Sequence, residues 1–566
     1  MPEQVEGFVE LRDGMNGYRN PALLSELQYS DGINVSARGG LVQTRPALVL
    51  EDISLPQGLF QGAGVWSLAS GDRFVYVCDG VLYTLGVDSL TLVNLGSLLN
   101  ATAQCFFEQV DEFMVIQDGV SAPIILQLVA GVPTVFSGTQ SIPTGYTMIF
   151  AQGRLHMVPT LVPSTSQDGR AYLVSGDILQ PLDNETALLF TETEYLSEGG
   201  AHSLPAEMGF IHGLGAIRNA LSGTGVGQVV AFGREGVCAF DFSIQRAYWK
   251  DQALSQVLFF GAGTLSPWSI LNVNNDLVYR SQDGIRVLKY STSQSSGNSG
   301  ALSNTPMSIE VDKYLVGDYD YLARTSSAAA DNRVLITASG TDTYYFQGLI
   351  SWDVAAGMYS GAQGVGAYDG IWTGANFAQV LNAFKDNVRT MFVFAEGPVL
   401  YRVDDDAVFD GTDTPIEARI ETRVFNFGDL VAKKKLKYID LWVSNIPTDT
   451  EFEIFYRPHG YPLWTSMGTR NIEVPAGSLP QQRNRLRFSV NADEAGCDPV
   501  SKDLLYTGTR FQFSIQWTGR AQIDAFRCVV DLLTEAPPDL CDNSEGIMLT
   551  SSAVSGITLS SFSYVI

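Results

Sequence analysis

Between residues 70 and 405 the chain repeats one local pattern. An apolar run meets a short polar spacer containing a glycine, and a second apolar run follows. The pattern appears as FVYVCDGVLYTL around Gly80, FMVIQDGVSAPIIL around Gly119, MIFAQGRLHMV around Gly153 and VVAFGREGVCAF around Gly236. It continues as LVYRSQDGIRVLKY around Gly284, TYYFQGLISW around Gly348 and FVFAEGPVLYRV around Gly397. Glycine supplies the positive φ that tight hairpin turns need, and the Val, Ile, Phe and Tyr on the flanks favour strands. A β-hairpin is therefore predicted at each of these glycines. Most of the gaps between them suit the roughly 40–50 residues of one four-stranded propeller blade. The two long gaps carry insertions near residues 160–206 and 290–320. Their loops, Ser164–Ser175 and Ser291–Thr305, are the candidate gate or contact loops.

After Asp413 the periodicity changes to strict alternation. Ile416, Ala418, Ile420, Thr422 and Val424 share one face, as do Phe452, Ile454 and Tyr456, then Leu486, Phe488 and Val490, then Phe511, Phe513, Ile515 and Trp517. A period of two means half-buried antiparallel strands with one wet face. The fold class expected is all-β: a β-propeller of about seven blades, six to eight being allowed, followed by a C-terminal β-sandwich. The competing reading is one large or two stacked sandwiches, because the repeat is loose and carries no W-D or kelch signature. The expected division is an N-terminal arm and closing strand at 1–50, the propeller at 51–410, the sandwich at 411–535 and a tail at 536–566. The tail, opening at Ala536-Pro537-Pro538, is expected either to add a strand to a neighbour or to pack within the chain.

Charge changes the picture. Asp and Glu total 61 against 35 Lys and Arg, a formal net charge of −26. Phosphate attraction supplies most nucleic-acid affinity, so a sequence-specific DNA or RNA binder is disfavoured. The surplus serves solubility, or makes a surface that DNA passes without sticking. The six cysteines form no C-x-x-C pair and are spread through a long chain, which argues for reduced thiols and cytoplasmic synthesis. The N-terminus has no signal-peptide pattern, and no apolar run is long enough to span a membrane.

Candidate chemistry is sparse. The four histidines lack metal-ligand spacing, and H-E-x-x-H, a P-loop and a G-x-S-x-G elbow are all absent. SQDG, at Ser166–Gly169 and Ser281–Gly284, resembles the Asp-box turns of sialidases, but neither copy has their closing Trp. The acidic run VDDDAVFDGTDTP offers Asp404, Asp406 and Asp410 as candidate Ca²⁺ ligands, without EF-hand spacing. Its alternative is a solvated linker. The basic run Lys433, Lys434, Lys435 and Lys437 suits docking onto another copy or an adjacent ring, or else is a solvated strand end. No cofactor is expected.

The N-terminal segment GMNGYRNPALLSELQYSDGINVSARGGLVQTRPAL carries a resemblance. Its Gly14 and Asn16 turn, its Asn34-Val35 strand and its Arg45-Pro46 element look like the opening of the tail nozzle and packaged-DNA stabilisation proteins of short-tailed bacteriophages. The strands ARIETRVFNFG and KKKLKYIDLWV extend the likeness loosely. The resemblance implies a non-enzymatic virion tail protein, a six-copy ring below the portal and its adaptor. Such a ring surrounds the exit channel, retains packaged DNA and mounts tail fibres or a spike. The alternatives are another baseplate or fibre-adaptor protein, a propeller glycosidase or sialidase acting on host polysaccharide, and a generic WD-like scaffold.

Overall fold

The computed structural model describes residues 3–162, 166–180, 182–191, 201–217, 228–242, 246–251, 254–273, 276–288, 306–341, 344–356, 366–475, 480, 483–490 and 507–533. Seven antiparallel sheets surround one axis. The first blade runs Phe60–Trp66, Arg73–Cys78, Val81–Gly86 and Leu92–Ser97, and the second Phe106–Val110, Phe113–Gln117, Ile124–Val129 and Val132–Val135. The third holds Gly145–Ala151, Arg154–Pro159, Tyr172–Ser175 and Ala201–Ser203, and the fourth Ile211–Ala216, Val229–Gly233, Gly236–Phe240 and Ser255–Phe260. The fifth has Leu271–Val273, Asp276–Ser281 and Gly284–Val287 among the described residues. The sixth comprises Ser327–Ala330, Arg333–Gly340, Phe346–Asp353 and Ala367–Trp372. The seventh comprises Phe377–Lys385, Val388–Ala395 and Val399–Asp404. Its fourth strand is Ala47–Leu50, which comes back from the N-terminal arm and pairs with Val399–Asp404.

In every blade the first strand lies innermost and touches the first strand of the next blade, and the seventh touches the first. The ring is therefore closed. Across that closing boundary Gln379 donates to the Ala63 carbonyl at 2.9 Å, and the Ala63 N–H donates back to Gln379 at 2.8 Å. The second strands pack on both faces and so read as unbroken apolar runs, as in Phe74, Val75, Tyr76 and Val77, all fully buried. Most blade boundaries own a separate apolar cluster; Phe60, Phe74, Phe392 and Phe394 make that of blades seven and one. Between the fifth and sixth, buried hydroxyls join in: Ser327 Oγ donates to the Ser269 carbonyl and Ser266 Oγ to that of Thr325.

Beyond the ring, two sheets share one core. One contains Asn484–Ser489, Lys434–Ser444 and Gln522–Leu532. The edge of Gln522–Leu532 is covered end to end by Glu3–Phe8 and Val42–Thr44 of the N-terminal arm. The other sheet runs Thr465–Ile472, Thr450–Pro458, Phe511–Thr518, Glu417–Thr422 and Gln28–Ile33. Ile439, Leu441, Phe526 and Cys528 meet Ile420, Phe452, Ile454 and Phe513 between them, with the Phe513 and Phe526 rings 5.2 Å apart. Gln28–Ile33 also pairs with the sixth blade at Ile33 and Ile371. The N-terminal arm thus splices the propeller to the C-terminal sheets.

One expected hairpin is absent. Gly348 lies inside the continuous strand Phe346–Asp353. A Cβ there would come within 2.2 Å of the Ile371 side chain on the neighbouring strand, so this glycine serves close packing and not a turn. The loop Ser291–Thr305 lies outside the described residues, as do residues 164–165 of Ser164–Ser175, the tail at 536–566, Cys497 and Cys541. Cys78, Cys105, Cys238 and Cys528 are buried free thiols. Among the described residues no helix is long and apolar enough to cross a membrane.

Candidate functional site: the axial cup and the charged sheet faces

The innermost strands enclose an axial cavity of about 850 Å³. Phe106, Phe107, Met148, Leu214, Trp268 and Ile270 make its apolar wall. One indole reaches across this cup. Trp268, from the turn leading into the fifth blade, crosses to the first blade. A Cβ on Gly62 would sit 2.6 Å from its ring and 3.2 Å from that of Phe107. The polar groups in the cup are few, with Glu108, Gln152, Asn272 and Arg389 the longest. Glu108 is half-buried at the wall of the cup. That burial pushes its pKa up to about 8, against the opposing N–H of Phe150, which donates to its carboxylate at 2.8 Å. Glycoside hydrolysis needs two carboxyl groups across the sugar, and the described lining of the cup supplies one.

The acidic run does not gather around a point. Asp410 turns inward, where its two oxygens accept Arg45 Nη1 at 2.9 Å and Nη2 at 2.5 Å. Asp404 accepts the backbone N–H groups of Asp406 and Ala407 and pairs with Arg402 at 2.6 Å. Against the burial that would raise it, these contacts hold the Asp404 carboxyl below the usual range. Asp406 is exposed. Among the described residues no three His, Cys, Asp or Glu side chains converge as a metal site. Of the three carboxylates expected as Ca²⁺ ligands, Asp404 and Asp410 are held by arginines, and the structure does not bring them together with Asp406. SQDG at Ser281–Gly284 is likewise a hairpin, with Ser281 Oγ donating to Asp283 and Asp283 paired to Arg286. His156 is a core imidazole, 2.8 Å from Ser175 Oγ and pushed down to about 3 by burial.

Arg45, of the Arg45-Pro46 element, is fully buried and spends its whole donor fork. Nε donates to Asn34 Oδ1 at 2.9 Å, Nη1 to the Pro46 carbonyl and Asp410, and Nη2 to the Thr373 carbonyl and Asp410. Asn34 in turn donates to Thr373 Oγ1 and to the Glu417 carbonyl. Val35 accepts the indole N–H of Trp372 at 3.0 Å. Asn16 donates to Glu310, and Gly14–Met15 pairs in parallel with Gln28–Tyr29. The three short elements that carry the resemblance form a strap tying the sixth and seventh blades to the first strand of the C-terminal sheets.

The lysine run is divided by its strand. Lys434 is fully buried, and its ammonium donates to the carbonyls of Asp429, Ala432 and Thr509 at 2.6–2.9 Å. Lys437 pairs with Glu3 at 2.7 Å. Burial closes Lys434 to docking, which corrects that expectation for it alone; Lys437 stays partly exposed beside Glu3, and Lys433 and Lys435 are exposed. The strongest cationic feature lies on the same sheet and was not anticipated. Asp440, itself fully covered, holds Arg485 at 2.7 Å, Arg487 at 2.8 Å and Arg527 at 2.6 Å. Burial would raise its pKa, but the hydrogen bonds from Arg487, Arg485 and Arg527 hold it far below the carboxylate range. The signal was present as period two: Tyr438, Asp440 and Trp442 share a face, as do Arg485 and Arg487.

No protein-family model matches the chain, and no curated protein matches it. Solved structures do. A chain of "Crystal Structure of Mitotic Checkpoint Complex" is 12% identical, with 64% of this chain and 95% of that chain covered and a TM-score of 0.35. A chain of "Crystal structure of BBS1N in complex with ARL6DN, soaked with mercury" is 8% identical, covering 64% and 99%, with a TM-score of 0.38. A chain of "YCF48 bound to D1 peptide" is 11% identical, covering 64% and 98%, with a TM-score of 0.33. The propeller itself is established by the closed ring of seven sheets.

Proposed function

We propose that this chain is a non-catalytic virion subunit that assembles as the tail nozzle ring of a short-tailed bacteriophage, below the portal and adaptor. The observation that carries the reading is the strap. The residues resembling the nozzle family, Asn34-Val35 and Arg45-Pro46, are the residues that lock propeller to C-terminal sheets. A rigid two-part subunit of this kind suits a ring that must hold its shape under internal pressure. The axial cavity bears on the passage: at about 850 Å³, with Trp268 reaching across it, it is too small for a DNA duplex, so on this reading DNA runs between copies and not through a blade axis. The net charge of −26 suits a lumen that repels DNA in transit. The single carboxylate in the described lining of the cup favours a non-catalytic role over the glycosidase alternative.

Two assays on the purified chain test the proposal. Native mass spectrometry is expected to show a six-copy assembly, and bacterial envelope polysaccharide is expected to release no reducing sugar. A strict monomer, or sugar release abolished by Glu108→Gln, would overturn it.

A further inference from the structure

The two C-terminal sheets turn opposite faces outward, and those faces carry opposite charge. On strand Lys434–Ser444, Ile439 and Leu441 enter the core, so Tyr438, Asp440 and Trp442 face out. Register places Asp440 between Arg487 and Arg527, and Trp442 opposite Arg485. Three guanidiniums against one covered carboxylate leave a positive excess, and the arginine side chains stay 39–48% exposed. Arg487 lies 4.0 Å from the Tyr438 ring centroid, and Arg485 and Arg527 each lie 5.5 Å from that of Trp442.

On the other sheet Ala418, Ile420, Phe452 and Ile454 enter the core, so Glu417, Glu451 and Glu453 face out. Glu417 and Glu451 flank Thr518 in register, and Glu453 follows in the next row opposite Gln516. They line a groove of about 390 Å³. Its arginine, Arg419, is turned to Asp31 at 2.8 Å. Among the described residues none of the three glutamates has an ion-pair partner.

We infer that the arginine face of one copy docks onto the glutamate groove of the next. The two surfaces differ and lie on opposite sides of one domain, so the contact is head-to-tail and propagates around a ring. Guanidinium forks match carboxylates bidentately, and Trp442 and Tyr438 supply the aromatic centre on which such contacts concentrate. A chain of this net charge repels its own copies at long range, and the arginine face is where local attraction offsets that repulsion. The inference rests on the ring reading and names the surfaces that build the ring.

A charge swap on the full chain tests it. One variant carries Glu451→Arg with Glu453→Arg, and a second carries Arg485→Glu, leaving Arg487 and Arg527 to hold Asp440. Circular dichroism and melting curves check that each folds. If Arg485→Glu does not fold, Arg485→Gln replaces it, read as a lower salt concentration for ring dissociation. In sedimentation each variant alone is expected to associate about tenfold more weakly than wild type or not at all. Mixed in equal amounts they are expected to restore the ring, because each altered face meets its complement. Folded variants that assemble as wild type does, or a mixture that stays dissociated, overturn the inference and leave the ring reading standing. Normal assembly of Arg485→Glu with lost binding to a duplex DNA probe makes the face a phosphate site and also overturns it. A wild-type chain that never exceeds a monomer removes the ring reading itself.

Discussion

Arg45 concentrates the residue-scale logic. A buried guanidinium is tolerated because each of its donors finds an oxygen, and Asp410 neutralises its charge. Truncation leaves the Asp410 carboxylate and Asn34 without their partner. Arg45→Ala is expected to lose about 3–5 kcal/mol at the strap, and Arg45→Lys to recover only part of it, since an ammonium cannot fork. Urea midpoints check this; an unchanged Arg45→Ala midpoint contradicts it. Glu108 makes a pH-dependent prediction. Its folded pKa, about 8, exceeds its ordinary 4.5, so the folded state favours the protonated form. The stability that protonation confers is complete below 4.5 and is lost as pH rises towards 8. Glu108→Gln is therefore expected to flatten the fall of the melting temperature across that window relative to wild type, and an identical slope in both proteins contradicts it. Lys434 shows what single residues conceal. In KKKLK every lysine looks alike, and only the loop carbonyls of Asp429, Ala432 and Thr509, folded around one of them, reveal a buried cap.

Strands and turns were the most legible level, for a reason visible in the turns themselves. Gly80, Gly153 and Gly397 have φ of 74°, 72° and 82°, so the hairpins there need the residue that marks them. The turns at Asp331-Asn332 and Asp386-Asn387 take the same left-handed conformation without glycine and left no mark in the reading. Their absence, together with the misplaced hairpin at Gly348, made the repeat look looser than the ring is. The hairpin at Gly153 joins first and second strands, whereas that at Gly80 joins second and third, which stretches the apparent spacing. The closing strand Ala47–Leu50 has only four residues, and no local pattern says that it pairs more than 350 positions away. It also sets a test. Val49→Pro, opposite Arg402, removes a ladder donor. Hydrogen exchange is expected to rise in Val399–Asp404 while Gln522–Leu532 stays protected. Equal protection of Val399–Asp404 in variant and wild type would show that the strand does not close the ring.

At the scale of the whole molecule, the arm ties two bodies into one subunit, and the two outer faces of its C-terminal sheets differ in charge. Period two in the sequence put Tyr438, Asp440 and Trp442 on one face, but which strands meet there was not legible. Asp440, Arg487 and Arg527 sit on three strands distant in the chain, as do Glu417 and Glu451, and only register brings each set together. The place of Trp268 in the axial cavity was hidden for the same reason: nothing local tells it to reach Gly62. The account therefore makes a geometric claim that composition and pattern could not make. On the nozzle proposal, the subunits surround a passage that lies between copies and not along a propeller axis. An electron cryomicroscopy map of the assembled protein tests this most directly. The account predicts six copies around one open central hole, with no duplex-sized opening along any propeller axis. A map in which each propeller carries a duplex-sized channel, or in which the copies enclose no hole, would contradict it.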